Sequence, residues 1–184
     1  MTTDALHRRS AVGDAELARV RAALDALTDP EIPVVTLAEM GILRAVRVAA
    51  DDPTLVEVVL TPTYSGCPAM AQITDDVQAT LARLGVAARV TTQLAPAWTT
   101  DWMSDAAREK LRAYGIAPPG RCHDDAPATG ERVLRFVPRA PQLVACPHCG
   151  SAHTREVSHF GSTACKALYQ CLDCREPFDH FKPH

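Results

Sequence analysis

Apolar positions along the chain change period several times, and each change predicts an element. From Asp14 to Leu27, the residues Leu17, Val20, Leu24 and Leu27 recur every three or four positions, the spacing of one helical face. Asp29-Pro30 predicts its end, because proline disfavours a helical residue before it. Leu43–Val48 and Leu55–Leu60 read as strands, with Asp51-Asp52-Pro53 turning between them. A second amphipathic helix is predicted from Pro68 to Leu84, with Ile73, Val77, Leu81 and Leu84 inward. Pro68 suits its first turn and Gly85 its stop. Val86–Leu94 reads as a third strand. Ser104 predicts the cap of a short helix ending at Tyr114-Gly115, with Pro118-Pro119 beyond. Val133–Val137, Thr154–Phe160 and Ala167–Cys171 are strand-like. The stretch 116–130 has breakers and no period, so it is expected to be a linker. The expected organisation is a tail over 1–13, a domain over 14–115, the linker over 116–130 and a second domain over 131–184. No repeat of solenoid length is present.

The second domain carries the strongest chemical signal. Cys146-Pro-His-Cys149 and Cys171-Leu-Asp-Cys174 are two Cys-x-x-Cys knuckles separated by 21 residues. Two thiolates separated by two residues fit one turn around a metal, and two such turns complete a tetrahedral shell. The pattern predicts a structural Zn2+ held by Cys146, Cys149, Cys171 and Cys174 in an antiparallel ribbon. Iron is the alternative for four thiolates. His148, His153 and His159 lie near the knuckles and could replace a thiolate. The favoured reading keeps them exposed or hydrogen-bonded around the site.

Composition narrows the picture less. Of 184 residues, 47% are hydrophobic and only 5% aromatic, so a core of Ala, Val, Leu and Ile is expected. The formal charge is −3, and the ribbon has few basic residues, so nucleic acid is not an expected partner. No apolar stretch is long enough for a membrane span, and no signal peptide is read. Thiolate metal sites need a reducing compartment, which predicts the cytoplasm.

A further thiol stands apart in Thr61-Pro62-Thr63-Tyr64-Ser65-Gly66-Cys67-Pro68. A strand ends and a helix begins here, which places Cys67 at or near a helix N-terminus. Unpaired amides and the helix dipole favour a thiolate there. The bland reading is a small buried residue; the favoured one is a thiol that meets a metal or cluster. A Cys–His catalytic pair is poorly supported, since only His7 and His123 precede the ribbon. Asp29 and Glu31 could reach a metal beside Cys67, or could simply shape a proline-flanked turn. Trp98 and Trp102 sit outside any periodic element and read as internal packing or as a partner anchor. Cys165 reads as a buried small residue or as a partner for Cys67. Cys122, in the linker, reads as incidental.

Two segments together carry a family resemblance. Asp29-Pro30-Glu31-Ile32-Pro33 with Glu39-Met40-Gly41-Ile42, and then Ser65-Gly66-Cys67-Pro68, resemble the small metal–sulfur cluster biosynthesis (SufT-like) domain over roughly 14–115. Pro96–Ser104, Ala107–Leu111, Tyr114–Pro119, Phe160–Tyr169 and Glu176-Pro177-Phe178 resemble the PaaD (PaaJ) family, a subunit family of the phenylacetyl-CoA epoxidase of phenylacetate catabolism. The resemblance implies an α+β fold: a small helix-covered sheet of the iron–sulfur cluster assembly type, then a zinc ribbon. It implies other epoxidase subunits as partners, above all the iron–sulfur reductase. It also implies a component without catalysis of its own. No di-iron Glu-x-x-His pair on long helices and no dinucleotide-binding glycine motif contradicts this. On this basis Cys67 is expected to hold iron or an iron–sulfur cluster transiently. One such cysteine per chain leaves a homo-oligomer sharing the cluster open. The alternatives are a structural docking subunit without metal delivery and an enzyme with Cys67 as nucleophile.

Overall fold

Val56, Val58 and Leu60 alternate along one strand and are fully buried. Such a strand must be covered, and the neighbouring amphipathic helices supply the cover. The computed structural model describes residues 10–120 and 143–184. The described residues fall in two compact units, divided between Trp98 and Thr99.

In the first unit, α1 (Asp14–Asp25) is followed by β1 (Leu43–Val48), β2 (Val56–Leu60), α2 (Ala69–Leu84) and β3 (Ala88–Thr92). β2 is the central strand. It pairs antiparallel with β1 and parallel with β3. The parallel pair needs a crossover, and α2 provides it. α1 lies against α2 and β1, with Val20 and Leu24 buried. α2 buries Ile73, Val77 and Leu81, three of the four positions its period predicts. Gly85 ends it at φ 70°, where its N–H returns to the carbonyls of Leu81 and Ala82, a left-handed stop that glycine takes without a Cβ clash. Trp98 is buried and its Nε1 donates to the Met40 carbonyl at 2.9 Å, in keeping with internal packing.

The second unit opens with a 3-10 turn at Thr100–Trp102, then α3 (Asp105–Ala113), β4 (Ile116–Ala117), β5 (Thr154–Ser158), β6 (Lys166–Cys171) and β7 (Pro177–Phe181). Ser104 caps α3 as its sequence predicts, its Oγ accepting from the Ala107 amide at 3.0 Å. The sheet order is β4-β7-β6-β5. β5, β6 and β7 form the antiparallel ribbon, and β4 adds a short parallel edge on β7.

That edge bears on where the second unit begins. The sequence pattern assigns residues 99–115 to the first domain and Ile116-Ala117 to a linker. The structure puts them in the second unit, because β4 pairs with β7 and α3 lies against β4. The tail residues 1–9, the remaining linker 121–130, Cys122 and the strand expected at Val133–Val137 lie outside the described residues. No helix among the described residues is long and apolar enough to cross a membrane.

Candidate metal centre and thiol loop

The four knuckle cysteines converge. Their Sγ atoms all lie within 4.8 Å of one another, with Cys146–Cys174 at 3.7 Å and Cys149–Cys171 at 3.6 Å. A tetrahedral shell with Zn–S near 2.3 Å places its sulfurs about 3.8 Å apart, which the Cys146–Cys174 and Cys149–Cys171 pairs match, so the donor set suits Zn2+. Local structure makes the convergence. The Gly150 amide donates to the Cys146 carbonyl at 2.9 Å, closing the first knuckle, and the Cys171 amide donates to the Glu176 carbonyl at 3.0 Å, closing the second. Each knuckle is followed by a left-handed residue, Gly150 at φ 77° and Arg175 at φ 68°. The second carries a steric cost that glycine avoids at the first.

The sulfurs do not share protons evenly. Backbone amides of Cys174 and Asp173 aimed at Cys171 bring its thiol down to about 6, against the opposing effect of burial. At Cys174 the Glu176 amide also lowers the thiol, but burial and the sulfurs of Cys171, Cys149 and Cys146 outweigh it and push the thiol up to about 12. A divalent ion replaces such protons and stabilises all four thiolates. Around the site, the Asp173 carboxylate accepts from Ser151 Oγ and meets His153 Nδ1 at 3.0 Å, tying one knuckle loop to the other. His148, His153 and His159 are all exposed, and none joins the convergent group. Cys165 is buried, with Thr163 Oγ1 at 3.0 Å from its sulfur.

Cys67 lies in the other unit, on the loop from β2 to α2. It sits one residue before Pro68, the N-cap of α2. The loop turns tightly: the Cys67 amide donates to the Tyr64 carbonyl at 3.2 Å, and the Cys67 carbonyl accepts from Met70 at 3.3 Å. No side chain caps the α2 N-terminus, and Cys67 is partly exposed. At the loop's start the Thr61 amide donates to the Ile42 carbonyl at 2.9 Å. The Thr61 hydroxyl is buried without a hydrogen-bond partner. Its desolvation costs free energy, and nothing in the sequence singles Thr61 out among the neighbouring hydroxyls.

Asp29 and Glu31 occupy a turn bridged by Thr28 and Thr36. Asp29 is buried, and its Oδ1 accepts from the amides of Glu31 at 2.8 Å and Ile32 at 2.9 Å. This carboxylate shapes the turn. A second device is not among the sequence expectations: Thr36 Oγ1 accepts from the Glu39 amide while Glu39 Oε2 accepts from the Thr36 amide. The reciprocal pair is the Ser/Thr-x-x-Glu box, legible in Thr36-Leu-Ala-Glu39. Among the described residues, the convergent group of three or more metal-ligating side chains is the ribbon tetrad, and it includes neither Cys67 nor these acids.

Taken separately, the units define a class: a helix-covered sheet carrying one loop thiol, joined to a four-thiol ribbon. Residues 17–92 match the family described as iron–sulfur cluster assembly protein, and residues 132–182 match the PaaD zinc beta ribbon domain. A protein of Escherichia coli (strain K12), named as the D component of a "Putative 1,2-phenylacetyl-CoA epoxidase", is 42% identical over 180 residues, 96% of this chain and 99% of that one. The chain belongs to the PaaD family of epoxidase components. Among solved structures, a domain of unknown function DUF59 from Bacillus anthracis is 27% identical, covering 53% of this chain and 92% of its own, with a TM-score of 0.46. The conserved hypothetical protein TM0487 from Thermotoga maritima is 25% identical, covering 55% and 95%, with a TM-score of 0.40.

Proposed function

We propose that the chain is an accessory subunit of a phenylacetyl-CoA epoxidase system, and that Cys67 holds iron or an iron–sulfur cluster in transit to a partner subunit. The observation that carries this reading is the position of Cys67: partly exposed, and one residue before the N-cap of a 16-residue helix whose first turn no side chain caps. Amides at such an end favour a thiolate, and a thiolate is the natural ligand for iron and for clusters. Here the cluster is cargo. The ribbon metal, Zn2+ in this reading, is a resident. Four protein ligands leave no open position for water, so its role is to fold the ribbon. The cytoplasm, where thiols stay reduced, is the proposed compartment, and the iron–sulfur reductase of the system is the proposed recipient.

A second reading is a docking subunit with no metal delivery. Val157 and Phe160, 54% and 66% exposed on and just after the edge strand β5, favour it as apolar surface available to a partner. Co-production of Cys67→Ser with the reductase separates the two. Cargo transfer predicts a folded variant that still binds its partner and leaves the reductase short of iron and sulfide. Full cluster loading beside Cys67→Ser would defeat transfer and leave docking.

A further inference from the structure

The second unit has a recess that borders the tetrad at Cys146 and is otherwise lined by residues outside it. It is a cleft of about 480 Å3 bordered by Arg108 and Arg112 of α3, by Pro119, Val144 and Pro147, and by His180 of β7. Among the described residues its lining contains two arginines and no carboxylate. The arginines are four residues apart and share one face of α3. Arg108 is anchored, donating to the carbonyls of Thr100 at 2.6 Å and Pro119 at 2.5 Å. Arg112 is exposed and makes no side-chain hydrogen bond or ion pair with a described residue.

His180 gives the cleft a polar surface from within the fold. It is only 5% exposed, packs edge-to-face on Tyr169 at 5.3 Å, and its ring makes no hydrogen bond to a described residue. A neutral imidazole has one N–H to donate and one nitrogen to accept. Neither ring nitrogen is bonded to a described residue, so both are available to a ligand group in the cleft. Burial holds the ring neutral, lowering it to about 4.

We propose that this cleft binds a small organic anion, a carboxylate or phosphate group carried on an apolar body. Arg112 supplies a guanidinium that matches both anions in bidentate geometry, and Arg108, held by the Thr100 and Pro119 carbonyls, adds positive charge. His180 supplies a hydrogen bond from the floor, and Pro119, Val144 and Pro147 line the apolar side. The inference uses nothing of Cys67 and stands or falls apart from cargo transfer.

The test uses the full, metal-loaded chain at neutral pH, with residues 121–142 in place. Inorganic phosphate, phenylacetate and coenzyme A are titrated by calorimetry and, in parallel, by NMR of 15N-histidine protein, the His180 signals being assigned with His180→Gln. The expected result is saturable binding of at least one probe, a matching shift of the His180 ring signals, and affinity at least tenfold weaker in Arg112→Glu, about 1.4 kcal/mol. Arg112 is exposed, so metal content and far-UV spectrum should not change. Coenzyme A and phosphate binding without phenylacetate identifies a phosphate ligand; phenylacetate alone identifies a carboxylate. The proposal is overturned if no probe saturates by about 10 mM, weaker than the millimolar range of small-ligand affinities. It is equally overturned if Arg112→Glu binds as tightly as the parent, or if the His180 ring does not respond.

Discussion

The two units hold cysteine in opposite ways, and the contrast follows from what else each has to hold it together. In the first, Val56, Val58, Leu60, Ile73, Val77, Val20 and Leu24 are almost wholly buried between sheet and helices. That core is built without the thiol, which stands in a loop at the helix entrance. In the second, Val144, Cys146, Cys171, Phe178 and Ala117 form a core cluster in which two of the five members belong to the convergent four-thiol group. There the thiols are part of the packing. A cysteine supported by an independent apolar core can be chemical cargo space; a cysteine that completes the core is structural.

The strongest way to break this comparison is to remove the ribbon metal. Structural Zn2+ in small modules contributes on the order of 10–16 kcal/mol. Cys171→Ser, or a strong chelator, should therefore melt residues 143–184 while amides of β1, β2 and β3 keep their exchange protection. Hydrogen exchange read by mass spectrometry would show it, and unchanged protection in the ribbon would contradict the contrast. The converse substitution is Leu60→Ala, which hollows the first core and should cost about 2–5 kcal/mol. Denaturant unfolding should lose its first-unit transition at lower denaturant, with zinc content unchanged.

A smaller effect separates the units by pH. The His180 ring is lowered from 6.5 to about 4 by burial. Above pH 6.5 it is neutral in both the folded and the unfolded chain. Between 6.5 and 4 only the unfolded chain takes up the proton, so stability is lost as pH falls through this window. The contribution is up to about 3 kcal/mol, less where the ring's partial exposure screens it. Unfolding titrations at pH 7 and pH 5 should show a shallower pH dependence in His180→Gln than in the parent. The smallest effect belongs to Arg175. At φ 68° it carries a side chain where Gly150 carries none. Arg175→Gly should raise ribbon stability by less than about 1 kcal/mol, since relief of the left-handed strain is offset by glycine's larger entropy when unfolded. A lower thermal midpoint would show that the Arg175 side chain packs favourably enough to outweigh the strain.

Much of the first unit is legible in sequence because its signals are local. Pro68 and Gly85 bracket α2, and alternation marks β1 and β2 to within a residue. The knuckle cysteines are legible for the same reason, since each pair closes within one turn. What sequence does not disclose depends on distant partners. β4 is two residues long and exists only because β7 offers a pairing edge. β7 begins with proline and carries Asp and His, residues that do not announce a strand. The cleft is invisible for a related reason: Arg112, Pro147 and His180 are far apart along the chain and share no motif. The role of Cys67 stays open in the sequence because a loop thiol's meaning depends on what approaches it.

The pairing of β4 with β7 also sets where the chain can be cut. The ribbon match begins at residue 132, but the folded unit begins at Thr99. A fragment started at 132 would keep all four knuckle cysteines and lose the strand that covers Asp179 and His180. It would bind its metal and present a bare β7 edge, a template for self-association of the kind that sheet edges invite. A fragment ended at residue 120 would carry α3 and β4 with no sheet to join. Fragments ended at residue 120 and started at residue 143 would separate β4 from β7, and their reassembly would report that the two strands have found each other.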